Sequence, residues 1–258
     1  MPDWARRPDP AVPKRRPRRR PRRPGVSRGA RREVGLDTAA VWTDGGQDPM
    51  STFMLRFVCT ANLCRSPLAE RIAVLRTPAT AAARRWLVVT SAGTHARDGM
   101  GMHPPAARRL TSMGADPAGF SSRRLTAAMV AEDDLVLTAD LTQRDAVIAL
   151  CPAASRRTFV IGEFARLLQH TEVPRGRAGA ADGPAEAARN VVARAARYRG
   201  RVPWREPALD EIADPDSEAA VSFCAEQVDR AVTQIVVALS GVTPKLVPLS
   251  TRATDPRS

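Results

Sequence analysis

The chain has 258 residues, 43% of them hydrophobic, which is enough for one sizeable core and favours one domain with appendages over two small ones. Its net charge of +13 is uneven: residues 1–52 hold 13 basic and 6 acidic residues, or +7, and everything after them contributes only +6. The four cysteines contain no Cys-x-x-Cys pair, which excludes a disulfide framework or zinc ribbon, and no apolar run approaches the ~18 residues of a membrane span, so the sequence predicts a cytoplasmic protein with reduced thiols and no membrane partner.

Residues 1–52 are dominated by the Arg/Pro-rich run from Pro13 to Pro24, followed by a segment without apolar period. They are predicted to form a disordered tail. Two readings stay open: a basic arm for nucleic acid or another anionic surface, or sequence upstream of a translation start at Met50 or Met54.

Phe53 begins an alternation of apolar strand-like runs with helical patterns, predicting an α/β domain over 53–258 built on a doubly wound four-stranded parallel sheet with helices on both faces. Its first unit carries the chemistry. Leu55–Val58 is a short buried strand, and a helix opens near Ser66 with Pro67 in its first turn. The loop between them places the N–H groups of Thr60, Ala61, Asn62, Leu63, Cys64, Arg65 and Ser66 near a helix N-terminus, an arrangement suited to a phosphate dianion. Arg65 can fork two hydrogen bonds onto phosphoryl oxygens. In that positive field Cys59 is expected to titrate below the ordinary ~8.5 of a thiol and to act as a nucleophile.

Val58-Cys59-x5-Arg65-Ser66-Pro67, with Asn62 and Cys64 inside the loop, resembles the low-molecular-weight protein tyrosine phosphatases. The resemblance implies a cysteine-dependent phosphomonoester hydrolase working through a phosphocysteine, without metal or cofactor, on a phosphotyrosine protein or small aryl phosphate. It implies that Ser66 supports the Cys59 thiolate, that Asn62 holds the loop, and that Cys64 closes a reversible disulfide with Cys59 under oxidation.

The second strand, Trp86–Thr90, runs into Ser91-Ala92-Gly93-Thr94, and by the same resemblance Ser91 supports Asn62. The loop from His95 to His103 then corresponds to a wall of the substrate cleft, yet it holds no Trp, Tyr or Phe. A helix near Pro104, a strand over Asp134–Thr138, a helix near Thr142, a strand over Thr158–Ile161 and a helix near Gly162 follow. Asp140, at a strand end, either sets the polarity of the rim or caps the next helix.

Residues 171–208 interrupt the pattern as an Arg/Ala/Gly-rich insertion holding one helix, Ala185–Tyr198. It is either a lid over the cleft or a solvated insertion. Asp214-Pro215 follows, placed where the family keeps its general acid, so Asp214 is the candidate acid. Asp216 stands where the family usually has an aromatic residue and is the alternative acid. The final helix, about Ser217–Leu239, carries Cys224 on its apolar face, and Cys151 also has a structural role. Two other functions fit part of this pattern: arsenate reduction on the same fold, which in thioredoxin-linked forms needs two further cysteines close together, and non-catalytic phosphate binding.

Overall fold

A computed structural model describes residues 52–170, 183–203 and 205–241. The Arg/Pro-rich tail and the first part of the 171–208 insertion lie outside the described residues.

Alternation along the strands builds the fold. In β1 (Phe53–Cys59), Phe53, Leu55, Phe57 and Cys59 face one apolar cluster, and Val58 faces the other. β3 (Leu135–Thr138) divides its side chains the same way, Leu135 and Leu137 against Val136. A strand buried on both faces needs helices on both, because successive side chains point to opposite sides. With β2 (Leu87–Gly93) and β4 (Thr158–Val160), these form one parallel sheet in the order β2-β1-β3-β4. The predicted architecture is the one observed.

Helices α1 (Arg65–Arg76), α2 (Ala81–Trp86), α3 (Pro104–Ser112), α4 (Ala127–Glu132), α5 (Leu141–Leu150), α6 (Ile161–His170), α7 (Gly183–Tyr198) and α8 (Glu218–Ser240) cover it. The sequence reading lacked α2 and α4, which have six residues each, too few to show a helical period. Both are started by a threonine N-cap: Thr80 Oγ1 accepts from Ala83 N, and Thr126 Oγ1 from Met129 N. Trp86 consequently ends α2 instead of opening β2, and packs edge-on against Phe53.

Helix α7, in the described part of the insertion, departs from both expectations. The α7 stripe Ala185, Ala188, Val191, Val192 and Ala195 is buried in the main core. Arg189 fastens the helix at the N-terminal ends of the strands, donating from Nε to Asp134 Oδ1 at 2.8 Å and from Nη2 to the Thr52 carbonyl at 2.6 Å. Cys59 is at the other end of β1. Alanine and valine at helical spacing bury enough surface to make α7 a core element, neither lid nor solvated insertion.

Candidate active site

The loop between β1 and α1 lies at the carboxyl edge of the sheet, beside the point where strand order reverses. Three of its carbonyls are tied outward: Cys59 O accepts from Thr94 N, Thr60 O from His95 N and Leu63 O from His103 N, all at 2.8–2.9 Å. Among the described residues, no acceptor receives the N–H of Ala61, Asn62, Leu63 or Cys64. The first N–H groups of α1 are likewise free by helix geometry. Together these donors make an anion cradle.

Asn62 holds the shape. It is the one non-glycine described residue with positive φ, 55°, a conformation that asparagine tolerates better than most residues. Its side-chain polar atoms are all used: Nδ2 donates to Ser66 Oγ at 3.0 Å and to Ser91 Oγ at 2.9 Å, while Oδ1 accepts from Arg123 N at 2.9 Å. Ser91 Oγ in turn donates to Glu70 Oε2 at 2.6 Å. Behind the loop, a Cβ on Gly93 would stand 2.6 Å from Thr60 O and 2.8 Å from Asn62 N, so only glycine permits this approach.

Cys59 is 3% exposed, with Sγ 3.0 Å from Ser66 Oγ. Arg65, also buried, is anchored at one end: Nη1 donates to Asp140 Oδ2 at 3.0 Å and to the Ile212 carbonyl at 3.2 Å. Its other edge is barely engaged. Nη2 makes a long 3.4 Å bond to Thr60 Oγ1, and Nε lies 3.0 Å from Asp214 Oδ1, at ion-pair distance but without the alignment of a hydrogen bond. A guanidinium fixed at Nη1 with Nε and Nη2 open offers the side-on fork that binds two oxygens of a tetrahedral anion.

Asp140 performs both roles left open for it. Oδ1 accepts from Gln143 N as the N-cap of α5, and Oδ2 accepts from Arg65 and from Gln143 Nε2. Gln143, 3% exposed, also donates to Thr60 Oγ1 at 3.1 Å. The sequence reading missed Glu70, Arg123 and Gln143; only Gln143 left a trace, as the third residue of the capping box Asp140-x-x-Gln143.

The segment carrying Asp214 is held on three sides. Asp210 O accepts from Gly162 N, Ile212 N donates to Ala139 O, and Glu211 Oε1 accepts from Leu141 N. Asp210 further binds Arg166 at 2.7 Å. Beyond these anchors the Asp214 side chain is 74% exposed and reaches back to Arg65, a contact not found for the exposed Asp216. The wall 95–103, in which the family resemblance expects an aromatic residue, is clipped through Ser122, whose N–H donates to Met100 O, and exposes Met100.

Three of the four cysteines approach this site. Cys224, buried on α8, shares the main core with Cys59, and Cys64 packs against that core. The influence of the Cys224 thiol holds Cys64 below the ordinary thiol range, with Arg65 adding to the effect against burial and Asp214. Cys224 is pushed up by Cys64 and by burial. Cys151 packs on the opposite face of the sheet, so Cys151 and Cys224 are not the adjacent pair a thioredoxin-linked reductase would use.

The model of the low molecular weight phosphotyrosine protein phosphatase family matches residues 54–198, more than half of the chain. The chain belongs to that family. Membership makes it a cysteine-dependent phosphoric monoester hydrolase. Low molecular weight protein-tyrosine-phosphatase Etp of Escherichia coli (strain K12) is 33% identical over 120 residues, 45% of this chain and 72% of Etp. Wzb of Salmonella typhimurium is 30% identical over 107 residues, 42% of this chain and 67% of Wzb. Two solved structures share the fold at a TM-score of 0.51: the tyrosine phosphatase AmsI of Erwinia amylovora, 22% identical, and the YwlE arginine phosphatase of Geobacillus stearothermophilus, 20% identical; each likeness covers 73% of this chain and 94% of the other. Asp214 and α8 lie beyond the residues the family model matches.

No described helix is long and apolar enough to cross a membrane.

Proposed function

We propose that this chain hydrolyses phosphorylated aryl groups, on tyrosine side chains or small molecules, with Cys59 as nucleophile, Arg65 and the loop N–H groups as the phosphate seat and Asp214 as general acid. The observation that carries the reading is the set of donors around Cys59: the loop amides without an acceptor and the weakly engaged Nε–Nη2 edge of Arg65, in a site where the Cys59, Thr60 and Leu63 carbonyls are turned away. Donors fixed before the substrate arrives need no reorganisation as charge develops on the equatorial oxygens.

In the first step the Cys59 thiolate attacks phosphorus, the ester bond breaks, and Asp214 protonates the departing phenolate. Asp214, now a carboxylate, accepts a proton from water in the second step, and the hydroxide formed displaces Cys59 from the phosphocysteine. Ser66 Oγ, 3.0 Å from Cys59 Sγ, supports the thiolate before attack and as it leaves. The reaction as written uses protein groups alone. Because Cys59 must remain a thiol, a reducing compartment such as the cytoplasm suits it.

The substrate class follows the family, while the walls widen it. The 95–103 wall holds no aromatic residue and Asp216 occupies a position where the resemblance places a ring, so stacking on a phosphotyrosine side chain is weakened and small aryl phosphates compete on more equal terms. The test is hydrolysis of an aryl phosphate and a phosphotyrosine peptide by the full chain and by Cys59→Ser, Asp214→Ala and Asp216→Ala. Turnover absent in Cys59→Ser and reduced ~10²- to 10⁴-fold in Asp214→Ala is expected. A larger loss from Asp216→Ala would reassign the acid, and a folded wild type without turnover would overturn the proposal.

A further inference from the structure

At the opposite end of the strands from Cys59, α7 and the 3₁₀ turn Pro152–Arg157 close with residues 131–134, which lead into β3, around a cavity of about 410 Å³. Small-ligand clefts span ~300–1,000 Å³. Arg156 and Arg157 of the turn and Arg189 and Arg197 of α7 line it, against the carboxylates of Glu132, Asp133 and Asp134. Two of those carboxylates are committed elsewhere: Asp133 accepts two hydrogen bonds from Arg56, and Asp134 accepts from Arg189 Nε at 2.8 Å. Glu132 is then left among Arg156, Arg157 and Arg197, three guanidiniums against one carboxylate. Arg156 and Arg197 are exposed and, among the described residues, pair with no carboxylate. Arg157 is engaged only weakly, Nη1 donating to Ala153 O at 3.4 Å and Nη2 to Val130 O and Ala131 O at 3.3 Å each. Its Nε is shielded from solvent and has no acceptor. Shielded donors are nearly always satisfied, so this one marks a place for an acceptor the chain does not supply.

We propose that this cavity is a second anion site, separate from the phosphate seat at Cys59, and that it takes a compact diphosphate or polyphosphate. Guanidiniums hold their charge at every physiological pH and fork onto phosphate oxygens. Arg156 and Arg157 come from one element and Arg197 from another, and an anion with two linked phosphoryl groups engages both sides at once. The remaining wall is Val192, Ala193 and Ala196, small side chains that leave room. No aromatic residue lines the cavity among the described residues, so it has no stacking platform for a nucleobase and suits the phosphate chain itself. The site exists because the insertion folds back: α7 contributes both Arg197 and the apolar wall.

The test titrates inorganic pyrophosphate calorimetrically into the full chain, into Arg156→Ala/Arg197→Ala and into the charge control Arg85→Ala/Arg230→Ala, at ~150 mM salt to screen diffuse attraction. Arg85 and Arg230 are exposed and lie outside the cavity lining. Wild type and the charge control should each bind one more equivalent than Arg156→Ala/Arg197→Ala. Competitive inhibition of aryl phosphate hydrolysis by pyrophosphate reads the Cys59 site and should be the same in all three proteins. Equal stoichiometry in wild type and Arg156→Ala/Arg197→Ala would overturn the proposal. So would an equal loss in the charge control, which would show nonspecific attraction to a basic chain. Both cavity substitutions remove exposed side chains, and unchanged circular dichroism checks that the fold persists. The titration needs no turnover, so its outcome is independent of the hydrolytic reading.

Discussion

Asp140→Asn tests whether the phosphate fork of Arg65 is held from behind. Asp140 uses both oxygens: Oδ1 caps α5 through Gln143 N, and Oδ2 receives Arg65 Nη1 at 3.0 Å and Gln143 Nε2 at 2.6 Å. Asparagine has one acceptor oxygen and an amide that only donates, so it cannot satisfy both sides. With its oxygen toward Arg65, the α5 cap is lost, at about 1 kcal/mol of stability. With its oxygen toward Gln143 N, the amide points at a guanidinium and a charge-assisted bond worth ~1.5–3 kcal/mol disappears. In either orientation the negative charge at the Nη1 end of Arg65 is gone. Since ~1.4 kcal/mol is tenfold in rate, kcat/KM for an aryl phosphate should fall about 10- to 100-fold. Inorganic phosphate should inhibit more weakly in parallel, while the fold persists. If kcat/KM and phosphate inhibition both stay within about twofold of wild type, Asp140 does not orient Arg65 and the anchoring argument fails.

Three further outcomes follow from the packing. Gly93→Ala brings a Cβ to 2.6 Å from Thr60 O and 2.8 Å from Asn62 N, so the loop must shift, and kcat/KM should drop about 100-fold with circular dichroism unchanged; near-normal kinetics would show that the loop yields freely. Val192→Ala, in the core stripe of α7, should cost about 2 kcal/mol in denaturant unfolding and leave kcat/KM unchanged where the protein is folded; altered kinetics at unchanged stability would restore the lid reading. Asp133, buried beside Arg56, is pushed up to about 6, mainly by burial, with the two Arg56 hydrogen bonds opposing. Because the folded carboxyl keeps its proton to higher pH than the ordinary ~3.9, its contribution favours the folded state at low pH and is lost as pH rises through about 6. The slope of unfolding free energy between pH 4 and 6 should be more negative in wild type than in Asp133→Asn, and equal slopes would refute the shift.

Local sequence determined the sheet and the attacking loop. Phe53, Leu55, Phe57 and Cys59 alternate with Arg56 and Val58 over one strand, and Cys59, Asn62, Arg65 and Ser66 lie within eight consecutive residues, so strand period and loop spacing alone carry those features. The partners that fix the site come from elsewhere in the chain. Glu70 reaches Ser91, Arg123 N reaches Asn62, and Asp140 and Ile212 O reach Arg65, across separations that no local pattern encodes. The burial of α7 was likewise decided by tertiary packing. Its alanines and valines carry a weak apolar signal among arginines, and only the surface presented by α6 and α8, with the strand-end acceptors of Arg189, turns that stripe into core.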